Sequence, residues 1–174
     1  MDETNASLSL LNVFEVVEDG AHRHLICFLD PILAGAKGID PRSVIGEFTP
    51  THEGEFDPDS FTLNTAFLEA FTGYMNEEAT HSPGLVRDAR EHASGWLYIL
   101  DPRHTLTGGD EPPASELLGC FAVDDSGQIV PRSFLYNENH VLFDPATGLS
   151  GVFSDRRFYD WLHPKPDAPR QPSL

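Results

Sequence analysis

Residues 10–31, LLNVFEVVEDGAHRHLICFLDP, contain two runs of strand-forming side chains with a turn signal between them. The runs at 10–17 and 24–29 are rich in aliphatic and aromatic residues, which favour β-strands. The tripeptide EDG at 18–20 favours a tight reversal of the chain. Proline has no backbone N–H to donate to a sheet, so the DP pair at 30–31 ends the second run. The stretch therefore predicts a β-hairpin.

Two helices are predicted in the middle of the chain. Asp57-Pro58 places an N-cap acid before a proline at the first helical position, and Ser82-Pro83 repeats this arrangement for a second helix. Apolar residues follow each start at helical spacing, and Gly95 ends the second helix. The apolar positions are Leu63, Phe67, Ala70, Phe71 and Tyr74 for the first helix, and Leu85, Val86, Ala89 and Ala93 for the second.

The second half of the chain is predicted to be mainly strand. Residues 96–100, WLYIL, form a short apolar run between a glycine and an Asp-Pro pair, which indicates a buried strand. Residues 117–123 and 128–136 indicate a second hairpin, and Pro131 places its second strand at an edge or a bulge. Further predictions are a Gly-rich loop at 34–38, a short strand at 44–48, a long loop at 102–115, a strand at 140–143 stopped by Asp144-Pro145, and a last short helix capped by Ser154.

Strands group at the two ends of the sequence and helices lie between them, a pattern typical of an α+β fold rather than an alternating α/β fold. We expect one domain over the 174 residues, with a mostly antiparallel or mixed sheet, two central helices and a short C-terminal helix. The ends, 1–7 and 163–174, are expected to be disordered tails. The sequence starts without a signal-peptide pattern, and Cys27 and Cys120 lie in apolar runs, so we expect a soluble, cytoplasmic protein with reduced cysteines.

The charge of the chain is its most extreme property. It has 28 acidic and 11 basic residues, a formal net charge of -17. Such a surface repels phosphate backbones and anionic lipids and attracts basic proteins, so neither nucleic acid nor a membrane is an expected partner. Lysine occurs only at Lys37 and Lys165. Two explanations involve no partner: a GC-rich genome favours arginine codons, and a salt-loving host favours acidic, lysine-poor surfaces.

The candidate catalytic residues are Asp101, His104 and His140. Asp101 and His104 follow the predicted strand at 96–100, where a sheet holds polar groups rigidly, and an Asp–His pair performs general-base chemistry. Arg103 is a candidate anion-binding residue. The simpler interpretation, which the abundance of acids favours, is that Asp-Pro ends the strand and Arg103 forms an ordinary ion pair.

The other candidate binding residues are two amides and four acids: Asn137, Asn139, Glu77, Glu78, Asp110 and Glu111. The amides of Asn137 and Asn139 either face a ligand or supply the left-handed backbone of a tight turn, and the turn is the favoured interpretation. The four acids are among those that no strand end or helix cap explains, so they indicate where a binding face would lie.

Two pairs of basic residues raise the question of ligand binding. His22 and His24 lie two apart in a predicted strand and point to the same side, but the sequence offers no third ligand, so no metal is predicted. Arg156-Arg157 lies in the first turn of the last helix, where the helix dipole disfavours cations. Such a position is held for another reason, such as pairing with the acidic body or binding an anion.

No P-loop, dinucleotide-binding fingerprint, nucleophile elbow or zinc motif is present. The favoured hypothesis is a small acidic module without a cofactor that docks a basic protein, as immunity or inhibitor proteins do. The alternative is a small hydrolase with an Asp/His site, assisted by a metal if His22 and His24 bind one. The third hypothesis is that the acidity is only an adaptation to the host.

Overall fold

The computed structural model describes residues 10–78, 80–104, 112–144 and 148–165. In these ranges the chain forms four α-helices, a four-stranded sheet, a three-stranded sheet and a two-stranded ladder, and all the strand pairs are antiparallel. The predicted α+β class is confirmed. The chain divides into two units, unit 1 from Met1–Leu68 with Phe153–Leu174 and unit 2 from Glu69–Val152. The prediction of one domain stays a prediction.

Unit 1 contains the four-stranded sheet, in the strand order β1-β2-β3-β4. Its strands are β1 (Leu11–Glu18), β2 (Ala21–Phe28), β3 (Val44–Phe48) and β4 (Thr62–Leu63). β1 and β2 form the predicted hairpin, in which Glu18 pairs with Ala21. Asp19 and Gly20 both have positive φ, 51° and 81°, which is the backbone that a two-residue hairpin turn requires.

The Gly-rich loop predicted at 34–38 is wrong, because most of it belongs to helix α1 (Pro31–Lys37). The carboxylate of Asp30 accepts hydrogen bonds from the backbone N–H groups of Ile32 and Leu33 at 2.7 and 3.4 Å. Pro31 occupies the first turn, where its missing N–H costs nothing. Asp30-Pro31 therefore both ends β2 and begins a helix, and Gly38, at φ 80°, ends that helix.

The helix predicted to begin at Asp57 begins later. Asp57 caps only the 3-10 turn Pro58–Ser60, and β4 follows because Thr62 and Leu63 pair with β3. Helix α2 (Thr65–Glu78) starts after Asn64, whose side-chain oxygen accepts a hydrogen bond from the N–H of Ala66 at 3.2 Å. Pairing with β3 therefore overrides the local helix signal at Asp57.

The other two helices begin near their predicted starts. Helix α3 (Pro83–His92) is capped by Ser82 as predicted, but it ends at Ala93, which adopts φ 73°, before Gly95. Helix α4 (Arg156–Leu162) is capped by Asp155 and not by Ser154: the Asp155 carboxylate accepts a hydrogen bond from the Arg157 N–H at 2.9 Å. Among the described residues no helix has the length and apolar character that crossing a membrane requires.

The core of unit 1 lies between its sheet, α1 and α4. The buried residues Leu25, Cys27 and Leu29 pack against partly buried residues that include Leu33 of α1. Phe28 of β2 stacks on Phe158 of α4 with 5.5 Å between ring centroids. Burial raises the pKa of Cys27 to about 12, so its thiol stays protonated and unreactive. Both cysteines of the chain are free.

Unit 2 contains the three-stranded sheet, in the order β5-β6-β7, and the small ladder of β8 and β9. These strands are β5 (Gly95–Leu100), β6 (Leu117–Val123), β7 (Leu135–Tyr136), β8 (Phe143–Asp144) and β9 (Gly148–Leu149). The strand predicted at 128–136 shrinks to β7 and a single bridge at Ile129, because Arg132 at φ 58° turns the chain. The strand predicted at 140–143 is also wrong except at Phe143.

Candidate functional site

The side chain of Asp101, directly after β5, lies at the centre of a buried polar cluster in unit 2. Its Oδ2 atom accepts hydrogen bonds from His140 Nε2, at 2.7 Å, and from the Ser150 hydroxyl. Its Oδ1 atom accepts from Arg103 Nε at 3.3 Å and from the backbone N–H of Gly151 at 3.2 Å. The cluster thus joins the end of β5, the segment after β7 and the segment after β9.

The cluster is closed to solvent. The side chains of Asp101 and His140 are 0% exposed and that of Arg103 is 7% exposed. Burial alone would raise the pKa of Asp101, but hydrogen bonds from His140, Ser150 and Arg103 outweigh burial and hold that pKa well below its usual range. Asp101 is therefore an anion, and the Arg103 guanidinium is its counter-ion.

Tyr136 completes the cluster from β7. Its hydroxyl lies 3.0 Å from His140 Nδ1. Burial first, and then the charge of Asp101, raise the pKa of Tyr136 to about 12, so the phenol keeps its proton. Because the Asp101 carboxylate only accepts, His140 Nε2 carries the hydrogen of that bond, and Nδ1 is the ring atom that faces the Tyr136 hydroxyl.

The order of contacts differs from that of a nucleophilic triad. In a triad the histidine lies between the hydroxyl and the acid, and it takes the proton of the hydroxyl. Here Asp101 lies between Ser150 and His140, so the Ser150 hydroxyl donates to a carboxylate. Every buried side-chain nitrogen and oxygen of the described residues has a hydrogen-bond partner. The geometry therefore suits the joining of three chain segments better than catalysis at a surface.

The structure brings together only part of the predicted catalytic set. Asp101 and His140 meet, together with the anion-binding candidate Arg103, whereas the imidazole of His104 faces Glu116, with 3.5 Å between Nδ1 and Oε1. Sequence reasoning missed Ser150, which lies 49 residues from Asp101. No local signal in the sequence distinguishes that serine from one in an ordinary Gly/Ser loop.

The two predicted amides occupy a turn. The Asn137 amide donates to the backbone oxygens of Ala114 and Leu117 at 2.6 and 2.7 Å, and its oxygen accepts from the N–H of Asn139 at 3.1 Å. These bonds hold a chain reversal after β7, so both residues lie in a turn, but neither has the positive φ of the predicted left-handed backbone. Asn139 itself is exposed.

The histidine pair lies on the exposed end of the β1–β2 hairpin. His22 Nδ1 contacts the carboxylate of Glu15, and this hydrogen bond lowers the pKa of Glu15. The His24 ring packs against Phe48, with 5.7 Å between ring centroids. Across the described ranges, no group of three or more histidine, cysteine or acidic residues is arranged to hold a metal ion.

The predicted acidic positions fall at the end of α2 and beyond the described residues. Glu77 is exposed and Glu78 is half-buried in the last turn of α2. Asp110 and Glu111 lie outside the described residues, as does half of the long loop predicted at 102–115. The predicted tails also lie outside, apart from residues 163–165.

The buried strand predicted at 96–100 is wrong in one respect, because alternate side chains of β5 face solvent. Trp96 and Tyr98 are 47% and 60% exposed, and Leu135 of β7 is 55% exposed. Strand register places them on one side: Trp96 pairs with Ala122, and Tyr98 and Leu135 both pair with Cys120. We call these five residues the aromatic face. On the opposite side of β6, Phe121 and Val123 are buried, and Phe121 packs on Phe134 with 5.0 Å between ring centroids.

Comparisons with protein-family models, with curated proteins and with solved structures find no match to this chain. Any function therefore has to be argued from the residues and their geometry.

Proposed function

We propose that this chain is a protein-binding module that docks a basic partner through the aromatic face. The observation that carries the proposal is the exposure of Trp96, Tyr98 and Leu135 on one side of a sheet. Tryptophan and tyrosine dominate the energetics of protein interfaces, because each removes a large apolar area from water at a low cost in side-chain entropy. Contiguous exposed apolar residues typically mark interaction sites.

The charge of the chain supports a basic partner. With a formal net charge of -17, the protein attracts cationic surfaces and repels other copies of itself. The exposed Asp124 and Asp125 follow directly after β6, and the exposed Glu138 follows two residues after β7, so acids flank the strands of the aromatic face. Apolar contact supplies affinity in such an interface, and the acids raise the association rate.

The hydrolase alternative has less support. Asp101 and His140 do meet, as that hypothesis requires, but their side chains are 0% exposed and Ser150 donates to the carboxylate rather than to the histidine. General-base catalysis requires the base to reach the proton of a substrate or of a water molecule that attacks it. Docking requires only that side chains reach the partner, and those of Trp96, Tyr98 and Leu135 are already exposed to solvent.

The test is a pull-down in which the full chain is the bait, in three forms: the wild type, a double variant and a matched control. Each form is used at about 50 mM and at about 500 mM salt, because the screening of charges differs strongly between these concentrations. The double variant Trp96→Ser/Tyr98→Ser removes both aromatic side chains of the aromatic face. The matched control, Val13→Ser/Val17→Ser, changes two exposed apolar residues of another strand, 58% and 61% exposed. We expect the wild type and the control to capture the same basic protein, more of it at low salt, and the Trp96/Tyr98 variant to lose it.

Two results would contradict the proposal. One is the absence of any specific basic protein at either salt concentration. The other is capture that is equal for the wild type and the Trp96/Tyr98 variant.

A further inference from the structure

A cleft of about 520 Å³ lies in unit 1, between the end of α1, the segment at 38–40, helix α4 and the residues that follow α4. Its size falls in the range of small-molecule sites. Its wall is largely apolar. The apolar part of the wall is formed by Leu29, Leu33, Ile39, Tyr159 and Leu162. None of the residues that line this cleft belongs to the aromatic face.

The rim of the cleft carries three of the eleven basic residues of this acidic chain. Lys37 and Lys165, the only lysines in the sequence, both line it, together with Arg156. The ion pairs among the described residues are formed by arginine and histidine, and neither lysine takes part in one. In a chain of net charge -17, two lysines at one cleft that pair with none of the described acids depart from the average surface.

The two acids that line the cleft are already engaged. Asp40 pairs with Arg42, with 2.7 Å between Oδ2 and Nη2, and the hydrogen bonds from Arg42 lower the pKa of Asp40. Asp160 pairs with Arg156 Nε at 3.0 Å. These two acids therefore do not neutralise the positive charges of Lys37 and Lys165 at the rim.

Arg156 is held in place at this rim. Its guanidinium carbon lies 5.2 Å from the centre of the Tyr159 ring, in addition to the contact with Asp160. Arg156 lies in the first turn of α4, where the helix dipole opposes a cation. A guanidinium has five N–H donors, and the contact with Asp160 uses Nε alone, so donors remain for an anion. The contacts with Tyr159 and Asp160 offset the unfavourable dipole and hold the Arg156 guanidinium at the rim.

We propose that this cleft binds an amphipathic organic anion, with its carboxylate or phosphate head group at Lys37, Arg156 and Lys165. Its apolar part packs against Leu33 and Ile39. A cationic rim over an apolar wall fits both halves of such a ligand, whereas an inorganic anion would leave the apolar wall uncovered. The proposal is independent of the docking function, because it concerns other residues and a ligand of the opposite charge.

The test is a titration of the 15N-labelled full chain with decanoate, followed by the amide resonances of Gly38 and Lys165 in two-dimensional NMR spectra. Decanol and decyltrimethylammonium serve as ligands of matched chain length without the negative charge. We expect saturable shifts at the cleft with decanoate, and at least about tenfold weaker binding of the other two, because charge-assisted hydrogen bonds supply that difference. Decyl phosphate tests the second head group and should also bind.

Two variants locate the site. Lys37→Gln and Arg156→Gln should each weaken decanoate binding by about three- to tenfold. The matched control is Arg157→Gln, which removes the same charge from the next residue of α4, a residue that pairs with Asp155 and does not line the cleft. It should leave binding unchanged. Absence of saturable shifts, equal affinity for decanol, or an equal loss in Arg157→Gln and Arg156→Gln would each overturn the proposal.

Discussion

Replacing Asp101 by asparagine tests whether the buried carboxylate holds unit 2 together. Both His140 Nε2 and the Ser150 hydroxyl donate to Oδ2, and an amide nitrogen at that position would face two donors. The Arg103 guanidinium, 7% exposed, would also lose its counter-ion. Removing one partner of a buried charge pair costs about 3–5 kcal/mol, so we expect a loss of that size in the free energy of unfolding.

The assay is urea denaturation of Asp101→Asn beside a matched control, Asp88→Asn. Asp88 also pairs with an arginine, Arg87, at 3.0 Å, but both side chains are largely exposed. An exposed pair contributes about 0–1 kcal/mol, so the control should stay near the wild type. Equal losses in the two variants would refute the view that the Asp101 cluster stabilises the fold.

The difference in the free energy of unfolding between the wild type and Asp101→Asn should depend on pH. The folded-state pKa of Asp101 is lowered, so its stabilisation is complete above the unfolded-state pKa of about 3.9 and is lost as the pH falls towards the folded-state pKa. Asp101→Asn lacks this titration. The stability gap between wild type and variant should therefore narrow by about 1.4 kcal/mol per unit as the pH falls below 3.9. A gap that widens in acid would contradict this reasoning.

Three further predictions concern single positions. Gly119→Ala should cost about 1–3 kcal/mol in urea denaturation, because a Cβ there would overlap the backbone oxygen of Leu135; Gly84→Ala, with open space around it, is the control. Asp30→Ala should cost about 1 kcal/mol by removing the cap of α1, and an unchanged unfolding midpoint would exclude that role. Tyr136→Phe should cost about 1–3 kcal/mol, since it leaves Nδ1 of the buried His140 ring without its hydroxyl partner; full wild-type stability would disprove this contact.

Short-range signals in the sequence were sufficient for several elements. The hairpin of β1 and β2 follows from two strand-forming runs and a turn that needs positive φ at Asp19 and Gly20. The start of α3 follows from Ser82-Pro83. These signals work because the interactions involved span only a few residues.

The same kind of signal led to different structures where a distant partner intervened. Asp30-Pro31 and Asp57-Pro58 look alike, yet the first begins an α-helix and the second only a 3-10 turn. The difference is that β3 pairs with Thr62-Leu63, four residues after Pro58, and holds that segment extended. Pairing between strands is a long-range interaction that a local pattern does not contain.

The candidate sites depend on the tertiary structure to a greater extent than the helices and strands do. The sequence by itself determined the acidity, the α+β class and the chemical types at Asp101 and His140. Only the fold placed those two side chains 2.7 Å apart, although 39 residues separate them, and closed them off from water. Likewise, the apolar run at 96–100 does not reveal that Trp96 and Tyr98 stay exposed, because which face of a sheet is covered depends on what packs against it.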